Sequence, residues 1–343
     1  MIYFDSHEVE RKTISILKVL SESPHSLGAR LIARQLREYG VELGERAVRY
    51  HLKLMDERGL THPLTQRDGR EITPLGIEEL NNALVTDKVG FMLEKIELLT
   101  FRTSFDVKKC SGLVPVNVSF FPRERFIDAL EAMKGTFEVG LCVSDLVAVA
   151  MEGEKLGDVL VPKGKVGLAT VCSLIINASL LKAGIPVDSK FSGVLQIRKN
   201  RPFRFVDLIY YSGSTVDPSE VFIRAKMTDV QGVVRGGDGK ILANFRELPA
   251  YCQPIMEKVT NQLREIGIGG LVMMGSPSEA VCGISVGLNR VGVILLGGLT
   301  PVAAAGEIGI ETESQAMSTL IDYQKLIKLR ELRYERDKNY TLP

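Results

Sequence analysis

The chain has 343 residues, of which 45% are hydrophobic and 25% are charged, a composition typical of folded globular domains and not of disordered chains. This length favours two domains over one. Lysine and arginine number 43 against 42 acidic residues. Net charge therefore indicates no partner, and any nucleic-acid surface has to be a local cluster of cations.

The five cysteines are scattered and form no C-x-x-C pair. Their odd number and spacing indicate neither a disulfide framework nor a zinc site, and we expect free thiols in a reducing cytoplasm.

The first six residues lack the pattern of a signal peptide. The most apolar tract, Val291 to Gly306, contains glycine and proline and is shorter than the roughly 20 residues of a membrane span. We expect a cytoplasmic protein without metal or cofactor.

Composition divides the chain into three zones. Residues 1–82 are rich in arginine and glutamate, and residues 83–104 read as a helical connector with Met92, Ile96 and Leu99 on one side. Residues 105–343 contain many glycines between runs of valine, isoleucine and leucine. We therefore predict a small N-terminal domain, a connector and a larger C-terminal domain.

The first zone has the order of elements of a winged helix. Apolar spacing predicts three helices, a hairpin and a last helix. Asp68-Gly69 is a typical hairpin turn, and Thr73-Pro74 is a typical helix start. The predicted helices are Glu8–Leu20, the segment between Ser26 and Gly40, Glu45–Arg58 and Leu75–Leu84, and the predicted strands are Thr61–Thr65 and Glu71–Thr73.

The third helix carries two distinct faces. Val48, Leu52 and Met55 recur at helical spacing and are predicted to face the core. Three cations share another face, where they can neutralise phosphates or pair with guanine in a major groove. The predicted DNA contacts are Arg46, Arg49, Tyr50 and Lys53 on this helix and Arg67 and Arg70 at the hairpin.

A row of cations on a helix is also typical of an ordinary solvated face, and the first zone is not basic overall. The order of the elements, with a cationic third helix followed by a charged wing, favours DNA. Winged helices also bind RNA or protein, and both readings stay open at this stage.

The third zone alternates hairpins with strand–helix units, which predicts a mixed sheet carrying helices. The expected fold class is thus α+β or α/β, with a winged helix-turn-helix followed by a mixed-sheet α/β domain. The segment from Glu311 to Arg333 fits either a place on the sheet or a place in a dimer. Predicted helices are 122–133, Ser173–Lys182, a helix opening at Asp217-Pro218, and Pro254–Ile266; predicted strands are Val166–Val171, Gly193–Arg198, Phe203–Tyr211, Val230–Arg235, Ile241–Phe245, Gly270–Met274 and Val291–Leu296.

Several long segments resemble one known family. The run GERAVRYHLKLMDERGLT (44–61) resembles the recognition helix of archaeal and bacterial winged-helix repressors. The third zone resembles the effector domain of the nitrogen regulatory repressor family NrpR. The segments that carry this resemblance are TVCSLIINASLLKAGIPV (170–187), YYSGSTVDPSEVFI (210–223), GKILANFRELPA (239–250) and GGLTPVAAAGEIG (297–309).

The resemblance implies a repressor of nitrogen-fixation and ammonia-assimilation genes that loses DNA affinity when 2-oxoglutarate binds its effector domain. Some family members carry two effector domains in tandem, whereas this chain has room for one. It is expected to pair with itself as a homodimer or to need a second NrpR-type effector protein.

A dicarboxylate needs helix N-termini or arginine forks. Three strand-to-helix junctions qualify: Thr170–Ser173, Ser212–Thr215 and Gly297–Thr300. Each junction is equally typical of a capped turn, and Arg246 could instead pair with Glu247 or another acid. The predicted effector-binding residues are Thr170, Cys172, Ser173, Ser214, Thr215, Arg246, Gly298 and Thr300.

Catalysis is not indicated in the third zone. All four histidines lie in the first zone, and the third has no nucleophile elbow, metalloprotease motif or P-loop. Cys172 at a helix start could be an activated thiol, but no histidine accompanies it. The alternatives are an enzyme or RNA-processing factor with an accessory winged helix, and a scaffold whose winged helix contacts only protein. A symmetric dimer that reads two half-sites is the expected assembly.

Overall fold

The computed structural model describes residues 6–21, 23, 25–38, 41–63, 69–82 and 91–332. Tertiary contacts divide the chain into two compact units, Met1–Lys88 and Val89–Pro343. The predicted connector residues 83–90 and the hairpin residue Arg67 lie outside the described residues. The rest of the connector is helical and belongs to the second unit.

The first unit has the predicted order of helices and strands. Val48, Leu52 and Met55 are fully buried, as the apolar spacing predicted, and they share a core with Ile32 and Leu36 of the preceding helix. The hairpin pairs Thr61 with Ile72. The elements are α1 (Ser6–Ser21), α2 (Ala29–Glu38), α3 (Glu45–Glu57), β1 (Thr61–Pro63), β2 (Arg70–Ile72) and α4 (Pro74–Asn82).

The strands of the second unit are β3 (Leu113–Pro122), β4 (Leu146–Met151), the small hairpin β5 (Lys155–Leu156) and β6 (Val159–Leu160), β7 (Lys165–Val171), β8 (Asp188–Arg198), β9 (Arg201–Tyr210), β10 (Gly239–Pro249), β11 (Leu271–Met274), β12 (Arg290–Leu296), β13 (Glu313–Asp322) and β14 (Ile327–Lys328). Ten of them form two five-stranded sheets, with strand orders β13-β3-β7-β4-β14 and β11-β12-β10-β8-β9. The helices are α5 (Phe91–Arg102), α6 (Phe126–Glu138), α7 (Leu174–Lys182), α8 (Pro218–Arg224), α9 (Val230–Gly236), α10 (Gln253–Glu265) and α11 (Thr300–Glu307).

The expected class, a winged helix followed by an α/β domain of overall α+β type, is confirmed. In detail the strands form two sheets, and all pairings between the described strands are antiparallel. Strand β12 shows why the sequence suggested a mixed sheet. Val291, Val293 and Leu295 join one hydrophobic cluster, whereas Ile294 and Leu296 join the other. Both faces are buried, so the strand reads as the continuous apolar run that is usual in parallel sheets.

One predicted strand is wrong. Residues Val230 to Gly236 form the helix α9, whose first turn is capped twice. Asp229 accepts a hydrogen bond from the Gly232 amide at 3.0 Å, and Glu307 accepts those of Val230 and Gln231 at 2.7 and 2.9 Å. A run of β-branched residues favours a strand locally, and the distant cap from Glu307 outweighs that preference.

The C-terminal segment packs on a sheet. Strand β13 pairs with β3, and the short β14 pairs with β4 at the other edge of the same sheet. The pairing of β13 shifts register between Gln315 and Thr319, and Met317 there has a positive φ of 50°. A β-bulge of this kind re-aims side chains and is frequent beside functional sites.

Candidate functional site

The predicted DNA-contacting face of α3 is exposed. Arg46, Arg49, Tyr50 and Lys53 all lie at the surface. Arg49 is 70% exposed and pairs with Glu45, and Lys53 is 77% exposed and lies 3.9 Å from Glu57. Such exposed pairs contribute about 0–1 kcal/mol to stability, so both cations can exchange their carboxylate for a phosphate at little cost.

A second cationic row was missed by sequence reasoning. Helix α2 exposes Arg30, Arg34 and Arg37, which share one face by their spacing of four and three residues. Its opposite face packs with α3 in one core. In a helix-turn-helix the first helix crosses the phosphate backbone while the second enters the groove. The signal was present in the helical spacing of these arginines.

Arg70 at the wing has an internal partner. Its Nε donates to Oδ2 of Asp56 at 2.8 Å, and Thr61 donates to the other oxygen of that carboxylate at 2.6 Å. Arg70 is only about one-third exposed. It therefore ties the wing to α3, and a phosphate contact by this residue would compete with that pair.

In the second unit, polar side chains from both sheets converge on one small cavity. Four of the predicted effector residues, Cys172, Ser173, Arg246 and Gly298, line it together. The volume of this cavity is about 20 Å³, room for one water molecule. The lining residues that the sequence did not single out are Asn117, Leu174, Tyr211, Asp217, Ser219, Asn244, Leu299, Ala316 and Met317.

Arg246 is the most unusual of these residues, because it is the largest fully buried side chain and only 2% exposed. Its guanidinium has weak neutral partners, Oδ1 of Asn177 at 3.5 Å and the Phe245 carbonyl at 3.3 Å. It also lies 5.4 Å from the centre of the Tyr211 ring. No carboxylate of the described residues forms an ion pair with it. A buried guanidinium stays charged, and burial without an anion is costly.

The alternative in which Arg246 pairs with Glu247 is wrong. Glu247 points to the other side of β10 and lies 3.7 Å from both Lys190 and Arg290. Adjacent residues of a strand face opposite sides of its sheet. The geometry therefore leaves Arg246 available to an anion.

A neutral hydrogen-bonded chain borders the guanidinium. Tyr211 donates to Oδ1 of Asn244 at 2.7 Å, and Asn244 donates to the Ser173 hydroxyl at 3.3 Å. Ser173 and Leu174 begin α7, so the start of that helix forms part of the cavity wall. Burial raises the pKa of Tyr211 to about 12 and that of Cys172 to about 11. Both groups stay protonated at neutral pH, and Cys172 has no activated thiolate.

One acid lines the cavity. Asp217 caps α8 by accepting the Ser219 amide at 2.8 Å. Burial raises the pKa of this carboxyl above its usual range, against the lowering effects of the Ser219 bond and the positive charge of Lys95. Lys95 comes from α5, and its ammonium donates to the Ala316 carbonyl at 2.8 Å. The cavity thus combines a buried cation with an acid held by its own helix.

The remaining predicted effector residues are not among those that line the cavity. Thr170 donates to the Gly298 carbonyl at 3.0 Å, and Thr300 donates to the Leu242 carbonyl at 3.2 Å. Ser214 donates to the Val216 carbonyl. Neither Ser214 nor Thr215 lines the cavity. The hydroxyls of Thr170, Ser214 and Thr300 thus bond to backbone carbonyls of the protein itself. This supports the alternative in which these junctions are ordinary capped turns.

None of the helices within the described ranges is long and apolar enough to cross a membrane. In the same part of the chain, no group of three or more His, Cys, Asp or Glu side chains is placed to hold a metal ion.

Two family models match the chain. Residues 89–328 match NrpR regulatory domains NRD1 and 2, and residues 14–80 match the ribonuclease R winged-helix domain. The second match covers the winged helix alone.

Similar proteins include curated nitrogen regulators. The chain is 39% identical over 319 residues to the global nitrogen regulator NrpRI of Methanosarcina mazei, covering 93% of this chain and 98% of that protein. It is 34% and 32% identical to global nitrogen regulators NrpR of Methanocaldococcus jannaschii and Methanococcus maripaludis, over 94% and 92% of this chain. It spans only 56% and 55% of the length of those two proteins.

A solved structure shares the fold. The crystal structure of a nitrogen repressor-like protein from Methanococcus jannaschii matches with a TM-score of 0.59 and 26% identity. The match covers 69% of this chain and 98% of that chain.

Proposed function

The chain belongs to the NrpR family of nitrogen regulators, and on this premise we propose that it represses nitrogen-assimilation genes and releases their operators when 2-oxoglutarate binds. The winged helix is the DNA-binding part of this regulator. The cavity between the two sheets is the effector site. The protein acts by binding, without turnover.

The observation that carries the proposal is Arg246. Burying a guanidinium without a carboxylate costs folding free energy, and a bound anion offsets that cost. An arginine fork holds a carboxylate by two parallel hydrogen bonds. A small dicarboxylate such as 2-oxoglutarate supplies the missing charge.

The size of the cavity supports a two-state mechanism. A volume of about 20 Å³ holds one water and not a five-carbon dicarboxylate. The effector therefore binds only after the wall moves outward, and it stabilises that second arrangement by its differential affinity. A protein that is closed without ligand and open with it has the two states that a repressor requires.

Helix α5 is the element that carries this change along the chain. Its Met92, Ile96 and Leu99 pack in one hydrophobic cluster with cavity residues that include Cys172 and Tyr211. Its Lys95 holds the Ala316 carbonyl on the opposite wall. Because α5 follows the N-terminal unit in sequence, movement of the cavity wall displaces the first helix after that unit.

A homodimer completes the model. One recognition helix makes few contacts, whereas two copies at half-sites about 34 Å apart double them. On this model the effector changes the separation of the two recognition helices. A second NrpR-type effector protein could take the place of the second copy.

The test combines DNA binding with ligand binding on the full chain. Duplexes enriched from a random pool are measured by fluorescence anisotropy, with 2-oxoglutarate, glutamate or glutamine added. We expect a preferred sequence whose affinity falls about 10-fold or more with 2-oxoglutarate and not with glutamine, in the usual range of allosteric coupling. A monomer without preference among duplexes would refute the repressor, and equal responses to all three compounds would refute the effector.

A second candidate is an RNA-processing factor, which the match of residues 14–80 to a ribonuclease R domain favours. The same anisotropy assay with single-stranded RNA separates the two. Tighter and sequence-tolerant RNA binding, unaffected by 2-oxoglutarate, would support this candidate over the repressor.

A further inference from the structure

Asn117 carries a buried hydrogen-bond donor that nothing uses. The residue lies on β3 and is 3% exposed. Its Oδ1 accepts the Met317 amide at 3.0 Å, whereas its Nδ2 has no hydrogen-bond partner within the described part of the chain. Native proteins rarely leave buried amide groups unpaired, because each costs the loss of its hydration.

The orientation of this amide is determined by its neighbour. Exchanging Oδ1 and Nδ2 would point an NH₂ group at the Met317 N–H, donor against donor. The assignment therefore follows from the hydrogen bond itself. Met317 lies in the bulge of β13, with a positive φ that non-glycine residues seldom adopt. The bulge holds the Asn117 side chain with its acceptor occupied and its donor directed elsewhere.

A glycine lets the Asn117 amide approach the backbone closely. A methyl group on Gly298 would lie 2.4 Å from Nδ2 of Asn117 and 2.8 Å from the Val171 carbonyl. Glycine is therefore required there for close approach. Asn117 and Gly298 line the same cavity as Arg246, so a residue with an unused donor and a cation without an ion-pair partner belong to one small cavity.

We infer that Asn117 is an effector-binding residue whose Nδ2 donates a hydrogen bond to an oxygen of the dicarboxylate held by Arg246. This assignment rests on the proposed function and adds a residue that sequence reasoning did not identify. It also explains Gly298, which admits the amide to the ligand. The two donors have different roles. Arg246 supplies a positive charge, and Asn117 supplies a directed hydrogen bond from a neutral amide.

The test is calorimetry on the full chain with Asn117→Asp, which keeps the acceptor for the Met317 amide and removes the donor. We expect 2-oxoglutarate affinity to fall about 10- to 100-fold, the range for a lost hydrogen bond to a charged ligand. Asn117→Ser tests the same loss without a new charge. Asn261→Asp on the exposed face of α10 is the matched control and should bind as the wild type does.

Glutarate, which lacks the keto oxygen, locates the contact. If Asn117 donates to the keto oxygen, Asn117→Ser weakens 2-oxoglutarate alone; if it donates to a carboxylate, both ligands weaken equally. Either result supports the assignment. Wild-type affinity in both Asn117 variants, with thermal unfolding showing that they are folded, would overturn it while leaving the proposed function intact. Absence of dicarboxylate binding by the wild type would overturn both.

Discussion

Arginines play opposite parts in the two units of this protein. Those on α2 and α3 are exposed, and the paired ones share their charge with a neighbouring glutamate on the same helix, as Arg49 does with Glu45. Arg246 is buried among neutral groups. An exposed arginine is satisfied by water and binds phosphate as one choice among several. A buried one has no such alternative and therefore indicates an anionic ligand far more strongly.

The largest expected effect on ligand binding comes from replacing Arg246, which removes the buried cation from this comparison. We expect Arg246→Met to lower 2-oxoglutarate affinity at least about 100-fold, because the buried cation that attracts the dianion is gone. The free energy of unfolding without ligand should stay equal or rise, since methionine fills the site without a buried charge. Calorimetry and urea unfolding measure the two effects. Arg264→Met on α10 is the exposed control; a similar loss of affinity there would contradict the role of burial.

Reversing charge on α3 should affect only the other function. We expect Arg49→Glu with Lys53→Glu to reduce operator affinity by about 100-fold or more and to flatten its salt dependence by about two phosphate contacts. Effector binding should be unchanged. The same double reversal at Lys258 and Arg264, exposed on α10, keeps the net charge equal. Equal DNA affinity of the α3 variant and the wild type would mean that the winged helix serves protein contacts.

Lys95 should sharpen the comparison by separating binding from response. We expect Lys95→Met to bind 2-oxoglutarate within a few-fold of the wild type, yet to lose most of the effector-induced fall in DNA affinity, a coupling of about 10-fold. The reason is that its ammonium links α5 to the Ala316 carbonyl beside the cavity. Anisotropy titrations with and without effector test this. If the variant releases DNA as the wild type does, α5 does not transmit the signal through this contact.

The smallest effect concerns His51 in the first unit. Burial, followed by the charge of Lys12, lowers the pKa of this side chain, so the folded state binds its proton less readily than the unfolded state. Stability from this residue is full above the ordinary histidine pKa of about 6.5 and is lost as pH falls through the lower folded value. Unfolding monitored in the first unit between pH 7 and 5 should show this loss. His51→Gln should reduce it.

The elements that sequence predicted well are those with local signals. The two faces of α3 and the start of α8 at Asp217 each depend on residues a few positions apart. Val230 to Gly236 was misassigned because the Glu307 carboxylate that caps α9 lies far away in sequence. The pairing of β13 with β3, about two hundred residues apart, could not be predicted for the same reason, because no local sequence pattern indicates it.

The candidate effector site shows the same division. Arg246 and Gly298 could be predicted as site residues from the sequence, because a charged residue after an apolar strand and a glycine before a helix are local patterns. Asn117 and Tyr211 could not, since nothing near them in the chain marks them as polar groups of a cavity. Their significance comes from burial and from which hydrogen bonds remain unmade.

The sequence by itself determined the winged helix, the cationic face of α3, the family and the residue types that an anion requires, because each is written in short-range spacing or in long specific segments. Only the tertiary structure decided that Arg246 forms no ion pair, that Asn117 has an unused donor, and that both line one small cavity. Charge and hydrogen-bond satisfaction depend on which distant residues meet, and that is settled when the two sheets pack together.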